Sequence, residues 1–190
     1  MAPSWPASWT VRLGPEVAEL PLITMPNGQR IYAFDLMGRT AWNAAAADLL
    51  AARLVASAVD FDIMLTAEAK AIALTQSLAE RLDQRQYIVA RKSLKVYMTY
   101  PIELSVVSIT TAAPQKFYLG KDRYEMLRGR RVCVVDDVVS TGGTMGAFCD
   151  LARRVGFEIV VIACVLTEGV ERSEFNGVPL LSLDHIPFPG

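Results

Sequence analysis

The chain has 190 residues, 52% of them apolar and 21% charged, a mix that excludes a disordered polypeptide and suits a packed globular one. With 19 basic and 20 acidic residues its net charge is −1, so no global field recruits nucleic acid or an anionic membrane. Any anion must be held by a local site.

The first residues, MAPSWPASWT, have neither the basic start nor the apolar run of a secretory leader. No apolar run along the chain reaches the roughly 18 residues of a membrane helix. Residues 1–29 carry Pro3, Pro6, Gly14, Pro15, Pro21, Pro26 and Gly28 and read as irregular structure or short strands. Arg30 to Leu36 reads as a strand. Thr40 is the predicted N-cap of a helix to about Ala58, with Ala47, Leu50, Leu54 and Ala58 on one face. Phe61 to Thr66 is a short buried strand, and the spacing of Ala71, Leu74, Leu78 and Leu82 predicts a helix after it.

Gln86 to Ala90 is the next strand, ending in Arg91-Lys92. Residues 93–102 have no clear period and read as a loop. Glu103 to Thr111 and Gln115 to Leu119 are two strands linked by Ala112-Ala113-Pro114. Arg131 to Val135 is a strongly apolar strand, followed by a helix from near Gly143 to Gly156 and a long strand from Phe157 to Leu166. Cys133, Cys149 and Cys164 are an odd number in apolar surroundings, and read as small buried hydrophobes of a reducing, cytoplasmic protein. Strands alternating with amphipathic helices give an α/β fold, with a mostly parallel sheet covered on both faces.

One stretch carries chemistry. From Val132 to Val135 an apolar strand runs into Asp136-Asp137, then Val138-Val139, then Ser140-Thr141-Gly142-Gly143-Thr144 at the start of a helix. Such a strand places its loop at the carboxyl edge of a parallel sheet, where α/β proteins bind ligands. Gly142 and Gly143 let the backbone approach a ligand closely. The N–H groups of residues 141–144 then converge on a phosphate at the helix N-terminus, with hydroxyls from Ser140, Thr141 and Thr144. Two carboxylates beside an anion site need another partner, and a ribose diol or Mg²⁺ supplies one. The stretch lacks the Gly-Lys-Ser/Thr ending of a Walker loop and the GxGxxG of a dinucleotide loop.

This segment resembles the phosphoribosyl pyrophosphate (PRPP) motif of type I phosphoribosyltransferases, and the similarity extends over about residues 30–190. It is nearest the purine branch, with its adenine and xanthine enzymes and the purine repressor built on the same fold. The resemblance implies a twisted, mostly parallel sheet with a smaller hood. It implies one domain over residues 1–190, with 1–38 an irregular or hood segment and 39–190 the PRPP-binding core. The implied reaction is Mg²⁺-dependent: nucleobase and PRPP give a nucleoside 5′-monophosphate and pyrophosphate. A homodimer is also implied.

The resemblance puts Asp136 and Asp137 on the ribose and the metal, directly or through water, and Ser140 to Thr144 on the 5′-phosphate. Glu68-Ala69-Lys70 resembles the pyrophosphate loop, with Ala71 where the family usually has Gly. Arg91 and Lys92 resemble its basic pair, Lys95 follows in the loop, and Lys92 with the two aspartates forms the expected catalytic set. For the base, Tyr32 and Phe34 flank Ala33, which falls at the family's stacking position. Tyr118 falls where adenine enzymes carry glutamate, so adenine is expected to be a poor base. His185, in the Pro-rich tail, reads as structural or solvated.

Two other readings stay open. One is a non-catalytic PRPP- or nucleotide-sensing regulator on the same fold, although Arg12 is the only basic residue in 1–29 and a DNA footprint needs clustered charge. The other is a sugar-phosphate hydrolase, which wants a nucleophile or histidine base that the loop does not show.

Overall fold

The computed structural model describes residues 5–106 and 115–190. It opens on two antiparallel strands, β1 (Ser8–Leu13) and β2 (Glu16–Thr24). Leu13 pairs with Glu16, so Gly14-Pro15 forms a two-residue turn. Gly14 has φ +62°, the sign that a tight hairpin demands at its first turn position. β3 (Arg30–Tyr32) adds to β2 and completes a three-stranded meander.

Of the two forms expected for residues 1–29, irregular structure or short strands, the meander is the second. Val11, Leu13, Ala18 and Leu20 alternate into the core, while Pro15 sits in the turn and Pro26 beyond the strand, so neither breaks pairing. The strand expected from Arg30 to Leu36 stops at Tyr32, although Phe34 and Leu36 remain buried.

α1 (Thr40–Ser57) buries Ala47, Leu50 and Leu54. Its cap position is Arg39, with Thr40 already inside the first turn, and no side chain caps it. Instead the Arg39 guanidinium lies 4.2 Å from the centre of the Trp42 ring. Ala58 turns left-handed (φ 53°) and ends the helix exposed to solvent, off the predicted buried face.

β4 (Ile63–Ala67), α2 (Ile72–Arg81) and β5 (Tyr87–Ala90) follow. β6 (Ile102–Val106) and β7 (Gln115–Leu119) pair antiparallel; the strand predicted on to Thr111 and the Ala112-Ala113-Pro114 link lie outside the described residues. Then come α3 (Lys121–Tyr124), β8 (Arg131–Val139), α4 (Gly143–Val155), β9 (Glu158–Glu168), β10 (Glu174–Phe175) and β11 (Val178–Ile186).

The main sheet has the order β10-β11-β9-β8-β4-β5, parallel throughout except for the short β10–β11 pair. Its strands alternate between two cores, as parallel strands buried on both faces must. Cys133, Val135, Val161, Ala163 and Val165 face α1, α2 and the meander. Val132, Val134, Ile162 and Cys164 face α4 and the β6–β7 hairpin. The N-terminal meander thus shares a core with the sheet. No helix among the described residues is long and apolar enough to cross a membrane.

Candidate active site

β8 runs four residues further than its apolar stretch predicts, to Val139, so the two carboxylates lie within the strand. Asp136 still pairs with Cys164 of β9, on the face of Val132 and Val134, and at this strand end the Asp137 carboxyl meets that of Asp136 in one cleft. Asp136 accepts the backbone N–H of Asp137 at 2.9 Å through Oδ1. Burial, and then the Asp137 charge beside it, push the Asp136 carboxyl well above the usual carboxylate range. Asp137 is only 8% exposed, and the Lys70 ammonium stands 3.9 Å from its Oδ2.

After Val139 the backbone turns through Ser140-Thr141-Gly142 into α4. Gly142 occupies the helix cap with φ +84°, a conformation costly for any side chain. The first turn of α4 leaves its N–H groups without intrahelical partners, and no acidic side chain stands in that turn. A cleft of about 120 Å³ there is lined by all five residues Ser140 to Thr144, with Asp136 and Gln115. The arrangement can hold an anion by N–H donors and the helix field.

A second cleft joins this one through Asp136, Val138, Gln115 and Thr144. Glu68, Ala69, Lys70, Lys92 and Asp137 also line it. The peptide between Glu68 and Ala69 is cis. Residues from β4, β5 and β8, distant in sequence, therefore meet at one edge of the sheet. Arg91 is turned elsewhere: its Nε donates to Glu68 Oε2 at 3.1 Å and its guanidinium reaches the Tyr97 hydroxyl at 3.4 Å. It lines a separate cleft with Tyr87, Tyr97 and Arg123. Lys95 does not line the cleft; its charge acts on Glu68.

Glu68 also accepts the backbone N–H of Lys92 at 2.8 Å. That bond, with the smaller help of Arg91 and against partial burial, lowers its pKa below the usual range. A depressed folded-state value gives stability that is present above the ordinary glutamate pKa and lost as pH falls through the folded one. Glu68→Gln is expected to cost on the order of 1 kcal/mol near neutral pH, and the gap from wild type should close in acid. Denaturant melts at pH 7 and pH 3.5 check this; a gap independent of pH would disprove the tie.

The aromatic residues expected at a base site lie elsewhere. Tyr32 is 2% exposed, packs 5.6 Å from the Trp9 ring, and donates its hydroxyl to the Pro6 carbonyl. Phe34 is 5% exposed and stacks on Trp42, so neither presents a free ring face. Phe34 does reach the site through its carbonyl, which accepts from Lys70 at 3.3 Å. On β7, Phe117 and Gln115 face the cleft; Tyr118, of opposite parity, faces Glu103 instead. His185 sits in β11 with Nδ1 2.9 Å from the Thr167 hydroxyl.

A third cleft, of about 340 Å³, shares Ser140 and Thr141 with the anion loop. Its other walls are Gln29, Glu168 to Val170, Arg172 and Phe188. Sequence reading passed over all of these, because they come from a turn, a strand end and the C-terminal tail, with no shared motif.

Comparison with known proteins gives the family and the fold. The family model described as "Phosphoribosyl transferase domain" matches residues 43–180. A hypoxanthine/guanine phosphoribosyltransferase of Methanocaldococcus sp. (strain FS406-22) is 34% identical over 110 residues, 58% of this chain and 52% of that one. An adenine phosphoribosyltransferase of Thermotoga petrophila is 31% identical over 109 residues, 55% of this chain and 58% of that one. The chain thus spans about half the length of the curated relatives it matches. Among solved structures, adenine phosphoribosyltransferase from Thermoanaerobacter pseudethanolicus shares the fold at TM-score 0.66 and 22% identity, over 87% of this chain and 95% of that one.

Proposed function

The chain belongs to the phosphoribosyl transferase domain family, on its purine branch, and from that premise we propose that it transfers ribose 5-phosphate from PRPP to a purine or purine-like base. The products are a nucleoside 5′-monophosphate and pyrophosphate. One observation carries the reading: the anion loop, the paired carboxylates and the Glu68–Lys70 turn with Lys92 form adjoining clefts on one sheet edge.

In this reading the N–H groups and hydroxyls of Ser140 to Thr144 hold the 5′-phosphate. Asp136 and Asp137 accept the ribose hydroxyls. Lys70, Lys92 and the backbone of Glu68-Ala69 receive the pyrophosphate, whose departure from C1 leaves positive charge on the ribose ring. Glu68 holds the Lys92 backbone in place, and Arg91 and Lys95 act from behind it. The base takes the third cleft, beside the loop. Ordering the substrate excludes water that would otherwise hydrolyse PRPP.

Mg²⁺ fits the donor set. Among the described residues no group of three or more His, Cys, Asp or Glu side chains surrounds a point, so a closed protein cage is not on offer. Two adjacent carboxylates suit Mg²⁺, which takes one or two protein oxygens beside substrate phosphates and water. Asp136 and Asp137 would hold it, and when bound it supplies positive charge to the pyrophosphate oxygens. The proposal also includes a homodimer, carried by the family resemblance, and a cytoplasmic location, supported by three free cysteines.

Pyrophosphate release from PRPP and Mg²⁺, with and without each purine base, tests the activity. Release should depend on the base and yield the matching 5′-monophosphate. Tight PRPP binding without release for any base would make the protein a sensor and overturn the reading.

A further inference from the structure

Resting on that reading, we infer that Glu168 selects the base, accepting from a purine edge that carries a ring N–H beside an exocyclic amino group, as guanine does. Glu168 ends β9, one step beyond Thr167, which pairs with Val139 just before the anion loop. Its carboxyl lines the third cleft together with Ser140 and Thr141. The surrounding wall is apolar: Val170, and Phe188, whose Cβ lies against Gly169.

Two other polar side chains of the cleft have contacts of their own. The Gln29 amide oxygen accepts from Asn27 at 2.6 Å. Arg172 turns to its own loop, with Nε 3.5 Å from the Val170 carbonyl. Glu168 makes no ion pair among those of the described residues. It stands beside the Ser140 hydroxyl, within the field of Lys70. Burial pushes its carboxyl upward and those two neighbours only offset this in part. A carboxylate has about four acceptor sites, more than the Ser140 hydroxyl can fill, and Glu168 lines the cleft.

Such a group ranks purines by their edges. Guanine offers two adjacent donors and hypoxanthine one. Adenine presents a ring-nitrogen lone pair beside its amino group, and xanthine a carbonyl oxygen where guanine has the amine. Each of the last two sets a lone pair against the carboxylate, which is how polar sites reject near-isosteric ligands. An amide at the same position offers one donor and one acceptor, the complement of adenine.

Calorimetric titration with guanosine, inosine and adenosine 5′-monophosphates tests this, with PRPP titrated in parallel. The three nucleotides share phosphate and ribose, so the ratios of their affinities isolate the base edge from any disturbance of the loop. Wild type should bind the guanosine nucleotide at least tenfold more tightly than the adenosine one, with inosine between them. Glu168→Ala should bring the ratio near one, and Glu168→Gln should shift it towards adenosine. PRPP binding with a ratio unmoved by both variants, or a wild type that prefers adenosine, overturns the Glu168 assignment alone. A wild type that binds neither PRPP nor any of the three overturns the active-site reading itself.

Discussion

Replacing Asp136 and Asp137 together with asparagine should lower PRPP turnover by about a hundredfold to ten-thousandfold, while the melting temperature at pH 7 holds or rises. The loss follows from two charge-assisted contacts worth about 1.5–3 kcal/mol each, at about 1.4 kcal/mol per factor of ten. The stability follows from their surroundings. Burial and the neighbouring Asp137 charge raise the Asp136 pKa in the folded protein. A carboxyl raised on folding favours the folded state in acid, and that contribution declines as pH rises towards the folded value. At neutral pH the pair therefore costs stability, and asparagine removes the cost. The pairing lost with Lys70, at 3.9 Å and with the lysine half exposed, is a small term. Thermal melts at pH 5 and pH 7 beside a turnover assay check both halves; unchanged turnover in the double variant would end the assignment.

Much of the fold was legible because its strands are buried on both faces. Runs such as Val132 to Val135 and Ile159 to Leu166 need no partner to be recognised. Gly156 marks the end of α4 by the left-handed φ of +84° that it supplies. The meander was harder. Its alternation of Val11, Leu13, Ala18 and Leu20 is regular, but proline and glycine counts obscure it, and only the pairing register shows that Pro15 falls in the turn. β10, β11 and the four-residue α3 carry too few residues each, or too mixed a pattern, to announce themselves.

The site divides along the same line. The contiguous part of the candidate site, Asp136 to Thr144, was legible as a strand end, a turn and a helix start that share one cleft, because strand, acids, hydroxyls and glycines follow one another in the order the proposed chemistry would use. Glu68 to Lys70 and Lys92 were legible as strand-end residues, though not that Glu68 spends its carboxylate on Lys92 and Arg91. The third cleft, proposed for the base, was not legible. Its walls come from residue 29, residues 168–172 and residue 188, joined only by tertiary packing. The aromatic residues nearest in sequence to the expected position, Tyr32 and Phe34, are consumed by Trp9 and Trp42.

The anion loop gives the remaining large effect, and there the structure changes what a substitution means. From sequence, a side chain at Gly142 or Gly143 would obstruct the anion or strain the turn and leave the core alone. In the fold, a Cβ at Gly142 would lie 2.2 Å from the Phe175 ring, and Phe175 packs on the core beneath α4. Gly142→Ala thus meets two separate penalties. The φ of +84° costs a non-glycine residue about 1–2 kcal/mol, and displacing Phe175 adds about 1–3 kcal/mol of overpacking. The loop relieves both by moving, which swings the N–H groups of residues 141–144 off their common target. We expect PRPP and nucleoside 5′-monophosphate affinity to fall by about a hundredfold or more, the scale of an ångström of misplacement, with a lowered melting temperature. Nucleosides, which lack the phosphate, should bind wild type poorly and respond little. Adding Phe175→Ala to Gly142→Ala removes the clash and leaves the dihedral penalty, so stability should recover in part while phosphate affinity stays low. Calorimetry with 5′-monophosphate and nucleoside on wild type and both variants separates the contributions. Equal affinity of wild type for nucleoside and 5′-monophosphate would mean that residues 140–144 hold no phosphate.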